Sequence, residues 1–304
     1  AGLCLTRRPE KTGERLCVPI GIPGKAYDIF EKDELISALE PEDLKGRLPR
    51  RAVNAHKGDC GHILMYMGSM GMAGAAGMAA QAALAGLRSG AGLVTIVCEP
   101  DIIPILQALV PNAMCLPVGQ TLENPPACDV FAVGCGLGMS EEIWENIKTL
   151  WRKDKPSVWD ADALNILAEH PMDLGEKAVI TPHPGEAARL LGWSAKEVVC
   201  EPLKATAALQ QKFGCTAVLK GPVSVIRDEK HTALNLEGSP ALAKGGSGDA
   251  HGRPLCSSSV RENTQHLKHA PVDHAFDRAP GQPQALRGFV DGEEIVHLRS
   301  GRLI

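Results

Sequence analysis

The sequence predicts an α/β fold in which a mostly parallel sheet is covered by helices on both faces. From Gly61 onward, short apolar runs alternate with longer helical segments, a pattern typical of parallel strands joined by crossover helices. Clusters of Gly, His, Asp and Lys stand directly after the apolar runs. Open α/β sheets bind ligands at the carboxyl ends of their strands, so these clusters are predicted to meet in one crevice.

Composition is that of an ordinary soluble globular protein, with 44% hydrophobic and 22% charged residues among 304. A net charge of −4 predicts no binding to nucleic acid. Ten cysteines without a C-x-x-C pair predict reduced thiols and a cytoplasmic location. The first residues lack the apolar core of a secretory signal. Residues 70–87 are nearly uncharged but rich in Gly and Ala, which favours a helix packed on the sheet over a membrane span.

The first half of the pattern begins with the apolar run 63–67, which predicts a strand. A glycine-rich loop follows, and then a helix that ends near Arg88. The run 93–98 predicts the next strand, and 101–109 has a helical pattern. Residues 130–133 predict a further strand that ends at Gly134-Cys-Gly-Leu-Gly138, with a helix through Trp151.

The second half continues with a strand at 157–159, which leads into Asp160-Ala-Asp-Ala-Leu-Asn165. One of the two aspartates is expected to cap the helix that follows. The strand 178–180 precedes Thr181-Pro-His-Pro-Gly-Glu186 and a helix to Leu191. After a helical stretch at 194–213, the strand 216–219 ends at Lys220, and 223–226 with 232–234 predicts a hairpin. Far upstream, residues 31–39 are expected to form one or two helical turns.

The stretch Ala243-Lys-Gly-Gly-Ser-Gly-Asp249 carries the clearest chemistry. Its small residues Gly245, Gly246, Ser247 and Gly248 allow backbone N–H groups to form a nest for a phosphate. A helix that starts near Asp249 would add its positive end beneath that phosphate. The carboxylate of Asp249 can take a proton from an attacking hydroxyl. The alternative is a glycine-rich loop in which Asp249 only caps a helix.

Other clusters are candidate ligand contacts, each with a structural alternative. Two prolines hold His183 at a strand end, which favours a ligand contact over a merely structural histidine. Lys220 brings an ammonium group to a nucleotide, or else extends its ammonium to solvent. Asn165 is placed to face a ligand. The glycines at 134–138 predict a phosphate or nicotinamide contact, or only a tight turn, because their spacing is not that of a dinucleotide fingerprint.

No metal site is predicted from side-chain spacing. The histidines His266, His269 and His274 fit no common zinc site. Asp160 and Asp162 lack further carboxylates at a useful distance in the sequence. The segment His56-Lys-Gly-Asp59 either covers the crevice or forms a solvated turn.

In this order, the clusters resemble the NAD(P)H-hydrate dehydratase family, whose members have a ribokinase-like fold. The resemblance covers about residues 55–250 and implies a ribokinase-like three-layer sandwich. The matching motifs are His56-Lys-Gly-Asp59, Gly68-Ser-Met-Gly-Met-Ala-Gly-Ala75, Arg88-Ser-Gly-Ala-Gly-Leu93, Gly134-x-Gly-Leu-Gly138, Asp160-Ala-Asp-Ala-Leu-Asn165, Thr181-Pro-His-Pro-Gly-Glu186, Leu219-Lys-Gly221 and Ala243-Lys-Gly-Gly-Ser-Gly-Asp249.

The resemblance implies repair of hydrated NADH or NADPH. ADP or ATP, with Mg²⁺, would donate a phosphoryl group to the ring hydroxyl, and elimination of phosphate would restore the reduced cofactor. Asp249 would activate the hydroxyl. The implied substrate contacts are Ala75, Gly136, Asn165, His183 and Asp249, and the implied nucleotide contacts are Lys220, Gly221, Pro222, Val223, Ser224 and Gly248.

The same resemblance divides the chain into three segments. Residues 1–50 resemble the end of the epimerase domain that precedes the dehydratase in bifunctional members. Residues 51–250 form the dehydratase domain, and 251–304 form an atypical tail that is disordered or frame-shifted. No epimerase activity is expected, and a homo-oligomer is expected. The alternatives are a kinase of a small vitamin-type alcohol, and an inactive homologue that only binds nucleotide.

The tail departs from the apolar helix expected after the aspartate. His251-Gly-Arg-Pro-Leu-Cys-Ser-Ser-Ser259 is polar and has a proline where a helix is needed. If residues 251–258 are encoded by CAC GGG CGT CCT CTG TGC TCT TCT, a start one nucleotide later gives Thr-Gly-Val-Leu-Cys-Ala-Leu-Leu. The shifted frame thus encodes the apolar helix that is expected after the aspartate. Loss of that helix would expose the surface of the sheet, so we expect this chain to be poorly soluble or inactive.

Overall fold

The structure is a computed structural model that describes residues 5, 21, 23–27, 36–39, 54, 56–89 and 92–236. Within these residues there are ten strands, and the helices number eight apart from short 3-10 turns. The strands are β1 (Ile36–Leu39), β2 (His62–Tyr66), β3 (Leu93–Cys98), β4 (Met114–Pro117), β5 (Val130–Val133), β6 (Ser157–Trp159), β7 (Ala178–Ile180), β8 (Thr216–Leu219), β9 (Ser224–Arg227) and β10 (Thr232–Asn235). The helices are α1 (Ala73–Ser89), α2 (Ile103–Leu109), α3 (Val118–Glu123), α4 (Glu141–Leu150), α5 (Asp162–Glu169), α6 (Pro184–Leu191), α7 (Ala195–Cys200) and α8 (Pro202–Phe213).

All ten strands belong to one sheet in the order β1-β10-β9-β8-β7-β6-β5-β2-β3-β4. The strands β4, β3, β2, β5, β6, β7 and β8 pair in parallel, with Ile63 of β2 between Val94 and Val130. Only β9 runs antiparallel to its neighbours, while β1 pairs in parallel with β10. The sheet is therefore mostly parallel, as predicted, and 224–235 forms the predicted hairpin.

Two hydrophobic clusters lie on opposite faces of this sheet, since alternate residues of a strand point to opposite sides. Leu64 and Tyr66 belong to one cluster, which includes buried residues of α4, α5, α6, α7 and α8. Ile63 and Met65 belong to the other, which includes buried residues of α1. The predicted arrangement of helices on both faces is confirmed.

Helix α1 packs on the sheet through small side chains. Ala76, Ala79 and Ala80 are almost fully buried, so the helix lies close to the strands. Within the part of the chain that the structure describes, no helix has the length and hydropathy needed to span a membrane. The small side chains at positions 76, 79 and 80 are therefore explained by close packing on the sheet.

Three elements differ from the sequence prediction. Residues 36–39 form a strand rather than helical turns, because they complete the edge of the sheet beside β10. The short elements β4 and α3 were not predicted. The predicted boundaries at residues 50 and 250 stay predictions, and the tail 251–304 lies outside the described residues.

Candidate active site

Five neighbouring strands, β2, β5, β6, β7 and β8, end at the same edge of the sheet. The loops that follow them contain nearly all the candidate residues within the described part of the chain. Lys220, after β8, donates its backbone N–H to the carbonyl of Pro182, after β7, at 2.8 Å. Gly68, after β2, donates its N–H to the carbonyl of Cys135, after β5, at 3.0 Å. The loops therefore hold one another at the carboxyl edge, as the sequence predicts.

The loop after β5 lies against the start of α1. Gly136 has a φ of +65°, and a Cβ there would lie 3.2 Å from the Cβ of Ala75 and 3.0 Å from the carbonyl oxygen of Met72. The hydroxyl of Ser69 donates to the carbonyl of Gly136 at 2.9 Å. The structure thus brings together Ala75 and Gly136, although their role as substrate contacts stays a prediction.

Asp160 and Asp162 make long-range contacts and do not cap α5. The residue before α5 is Ala161, and no side chain caps the helix there. Asp160 is buried, and its Oδ1 accepts hydrogen bonds from the backbone N–H of Ala161 at 2.9 Å and from Nζ of Lys220 at 2.8 Å. Asp162 Oδ2 accepts from the backbone N–H of Gly138 at 2.8 Å. The predicted cap is wrong because contacts with neighbouring loops take both carboxylates.

Lys220 turns into the protein and does not extend to solvent. Its side chain is 13% exposed, and its Nζ lies 2.8 Å from Asp160 and 3.9 Å from Glu186. Burial by itself lowers the pKa of Lys220, but the attraction of the two carboxylates outweighs burial and raises the pKa. Lys220 is therefore a cation at neutral pH, and the solvent-exposed alternative is wrong.

The residues that follow Lys220 differ in accessibility. Gly221 and Pro222 are exposed, Val223 is half-buried, and Ser224 is buried at the start of β9. Exposed residues beside the half-buried Lys220 cation form a surface that a phosphate chain can approach. Their role as nucleotide contacts stays a prediction.

His183 has a structural contact that the sequence did not reveal. It stands at the N-cap of α6, where Nδ1 accepts from the backbone N–H groups of Gly185 at 2.9 Å and Glu186 at 3.3 Å. Glu186 Oε2 in turn accepts from the backbone N–H of His183 at 2.7 Å, which completes a capping box. Because Nδ1 accepts, the neutral ring carries its proton on Nε2, which lies 3.3 Å from Glu186 Oε1.

Glu186 is the functional candidate that sequence reasoning missed. Its side chain is 8% exposed and lies between His183 and Lys220. Burial raises the pKa of Glu186 to about 7, against the opposing attraction of Lys220. Burial also lowers the pKa of His183, as does the nearby charge of Lys220. The signal in the sequence was a glutamate three residues after a residue that starts a helix, a spacing typical of a capping box.

The raised pKa of Glu186 predicts a pH-dependent stability. An acid whose pKa is raised from 4.5 to about 7 binds more protons in the folded state, so the free energy of unfolding falls as pH rises across that window. Glu186→Gln should remove this fall, as measured by urea unfolding from pH 4 to pH 8. Glu197→Gln is the matched control, because Glu197 occupies the same position in the capping box of α7, is exposed, and has a lowered pKa. A carboxylate with a lowered pKa stabilises the fold fully above its ordinary pKa of 4.5, so Glu197→Gln should lower the free energy of unfolding without changing its slope above that pH. A Glu186→Gln profile parallel to that of the wild type would contradict this account.

Comparison with known proteins decides the family. A model of a family described as NAD(P)H-hydrate dehydratase matches residues 63–251. The match runs from Ile63 in β2 through β10 and includes the described loops that follow β2, β5, β6, β7 and β8. The chain belongs to the NAD(P)H-hydrate dehydratase family.

Relatives in this family include bifunctional and single-function proteins. The bifunctional NAD(P)H-hydrate repair enzyme Nnr of Coxiella burnetii is 38% identical over 252 residues, which are 82% of this chain and 50% of that protein. The ADP-dependent (S)-NAD(P)H-hydrate dehydratase of Neisseria meningitidis is 33% identical over 211 residues, which are 66% of this chain and 70% of that protein. The chain thus spans about half the length of the bifunctional relatives it matches.

A solved structure has the same fold. The ADP/ATP-dependent NAD(P)H-hydrate dehydratase of Bacillus subtilis, co-crystallised with ATP and Mg²⁺, superposes with a TM-score of 0.68 at 28% identity. The superposition covers 76% of this chain and 84% of that one. A ribokinase-like protein of Enterococcus faecalis matches with a TM-score of 0.65. The predicted ribokinase-like fold is confirmed.

Asn165 Oδ1 accepts a hydrogen bond from Nη1 of Arg189, so α5 and α6 hold its amide in place.

The 3-10 turn Lys57–Cys60 lies at the amino ends of β2 and β3, where a Cβ on Gly92 would meet the carbonyl of Lys57. It therefore lies at the edge opposite to the crevice, and the expectation that it covers the crevice is wrong.

The stretch that is predicted to form a phosphate nest lies outside the described residues. Gly245, Gly246, Ser247, Gly248 and Asp249 lie outside the described residues, as do His266, His269 and His274. Among the residues that the structure does describe, no group of three His, Cys, Asp or Glu side chains is arranged to hold a metal ion.

Proposed function

We propose that this chain catalyses the nucleotide-dependent dehydration of hydrated NADH and NADPH to the reduced cofactors. The observation that carries the proposal is the family match over residues 63–251, which contains all the loops at the carboxyl edge. Relatives that match here are named for this reaction. The substrate contacts Ala75, Gly136, Asn165 and His183 are part of the proposal, and the first two adjoin in the structure.

The nucleotide supplies a phosphoryl group that turns the ring hydroxyl into a leaving group. Catalysis of such a transfer depends on positioning and on stabilisation of charge more than on covalent chemistry. Lys220 supports this, because it is a half-buried cation beside the exposed residues Gly221 and Pro222. In the proposal, Asp249 takes the proton of the ring hydroxyl, and the glycines at 245, 246 and 248 with Ser247 donate backbone N–H groups to phosphate.

The described residues fit a nucleotide polyphosphate better than a protein-bound metal. The ammonium of Lys220 and the accessible loop after it suit an anion, and a relative in this family is ADP-dependent. Mg²⁺ belongs to the proposal as a companion of the nucleotide, where it would neutralise phosphate charge. The proposal also includes a homo-oligomer and a cytoplasmic location. The thiols of Cys60, Cys98, Cys115, Cys128, Cys200 and Cys215 form no disulfide, which is compatible with a reducing compartment.

The proposal is tested by the near-ultraviolet absorbance of NADH. Purified chain, with its reading frame restored after codon 250, is mixed with hydrated NADH and either ADP or ATP, and the absorbance is expected to rise only when a nucleotide is present. Consumption of ATP with a vitamin-type alcohol and no recovery of NADH would favour the kinase alternative. Nucleotide binding without either reaction would show an inactive homologue.

Substitutions of His183 should separate its role as a helix cap from its proposed role in substrate binding. His183→Ala should lower stability by about 1 kcal/mol through the lost cap and weaken substrate binding by about 1–3 kcal/mol, leaving ADP binding nearly unchanged. His183→Asn is the matched variant, because Asn caps helices well but lacks the imidazole. It should retain stability and lose substrate affinity, as measured by unfolding and calorimetry. Normal substrate affinity in His183→Asn would show that the histidine is structural.

We propose further that residues 251–304 are a frame-shifted version of the family's C-terminal helices. The family match ends at residue 251, where the polar segment begins, which supports the proposal. Sequencing the gene across codon 250 tests the cause. A single in-frame restoration is expected to recover solubility and turnover. High solubility and an enzyme-like rate in the unrestored chain would contradict it.

A further inference from the structure

One short turn touches both ligand loops. Residues 160–162 connect β6 to α5 at the centre of the carboxyl edge. Asp160 accepts from Nζ of Lys220 at 2.8 Å, in the loop proposed to bind the nucleotide. Asp162 accepts from the backbone N–H of Gly138 at 2.8 Å, in the loop that contains Gly136. The two carboxylates thus link the nucleotide loop 220–224 to the glycine loop 134–138.

The backbone of this turn is strained and tightly packed. Ala161 has a φ of +50°, and among the described residues it is the only non-glycine residue with positive φ. Such a conformation persists only where its surroundings hold it, and it concentrates at functional sites. The carbonyl of Asp160 packs against Gly134 so closely that a Cβ there would lie 1.7 Å from the carbonyl oxygen. Because the turn has little freedom, a shift of one carboxylate is transmitted to the other.

The contact with Lys220 is one that a nucleotide can alter. The Lys220 ammonium is shared between Asp160 and Glu186, and the next residue in the chain, Gly221, is exposed. Phosphate oxygens that approach this loop attract the same ammonium. Ordering of the nucleotide loop therefore acts on Asp160, and through Ala161 on Asp162 and the glycine loop.

We propose that the 160–162 turn couples nucleotide binding to binding of the hydrated dinucleotide, with Asp160 and Asp162 as positioning residues. The identity of the two ligands rests on the proposed function. Each ligand orders the loop that it contacts, so the second ligand meets a loop that is already ordered. Coupling of this kind is reciprocal, and each ligand strengthens the other by the same factor.

Equilibrium binding to the full chain tests the coupling. The Kd of hydrated NADPH is measured by calorimetry with and without a saturating non-hydrolysable ATP analogue. In the wild type, the analogue is expected to lower this Kd about five-fold or more. In Asp162→Ala, the ratio of the Kd without the analogue to the Kd with it should be close to one. The Kd of the analogue alone should stay unchanged, since Lys220 keeps its partner Asp160. Asp160→Asn should also abolish the coupling, with folding checked by circular dichroism.

The matched control is Asp173→Ala. Asp173 makes the same two kinds of contact, accepting from Nζ of Lys153 at 2.8 Å and from the backbone N–H of Gly175 at 3.0 Å, but it precedes β7 at the opposite edge of the sheet. In Asp173→Ala, the ratio of the two Kd values of hydrated NADPH should equal that of the wild type. A wild-type ratio near one, or an unchanged ratio in Asp162→Ala, overturns the inference.

Coupling is measured by binding and the proposed function by turnover, so each can fail without the other. Coupled binding without turnover contradicts the function alone. Turnover without coupling contradicts the inference alone. A soluble, folded wild-type chain that binds neither ligand contradicts both.

Discussion

Asp249→Asn should reduce turnover of hydrated NADH by at least about 100-fold while the affinity for nucleotide changes only a few-fold. The amide keeps the shape of the carboxylate but cannot accept the proton of the ring hydroxyl, and general base catalysis contributes about 10²–10⁴-fold. Turnover is measured by recovery of NADH absorbance, and nucleotide affinity by calorimetry on the same preparation. The nucleotide Kd is the internal control for folding. Turnover close to that of the wild type would remove Asp249 from the chemistry.

Gly134→Ala should destabilise the protein by at least about 3 kcal/mol, because overpacking and backbone strain act at the same position. Gly134 has a φ of +133°, which L-residues rarely adopt, and the new Cβ would lie 1.7 Å from the carbonyl oxygen of Asp160. This contact is backbone, so no side-chain rotation relieves it. The prediction is checked by urea unfolding.

Gly119→Ala is the matched control for this substitution. Gly119 lies in α3, is exposed, and has no neighbouring atom within 4 Å of the point where the new Cβ would lie. Replacement in a helix should be neutral or stabilising by up to about 1 kcal/mol. Equal stability of the two variants would contradict the close approach of β5 and β6 at the carboxyl edge.

The regular part of the fold was predictable because its signals are local. Strand β3 is a run of β-branched and apolar residues, and α1 combines small residues with helical spacing. The strand β4 ends in Pro117 at the sheet edge and α3 has six residues, so neither carries a periodic signal. The strand at Ile36–Leu39 was mistaken for helix because its partner, β10, lies almost 200 residues away in the sequence.

The site was only partly predictable because its decisive contacts are long-range. The motifs correctly placed loops at one edge of the sheet, since strand ends can be found from local pattern. The pairing of Lys220 with Asp160 joins residues 60 apart, and no local pattern predicts it. The approach of Glu186 to Lys220 likewise joins two loops that meet only after folding. The cap at His183 escaped notice because histidine is not among the usual N-cap residues.

The measurement that tests the central claim most directly is a mass balance on hydrated NADPH. The chain, with its reading frame restored after codon 250, is incubated with hydrated NADPH and a known amount of ATP or ADP, and NADPH, inorganic phosphate and consumed nucleotide are quantified together. The account predicts equal amounts of all three, because each dehydration uses one phosphoryl group and releases one phosphate. Phosphate or nucleotide consumption without NADPH, or NADPH formed in the absence of nucleotide, would contradict it.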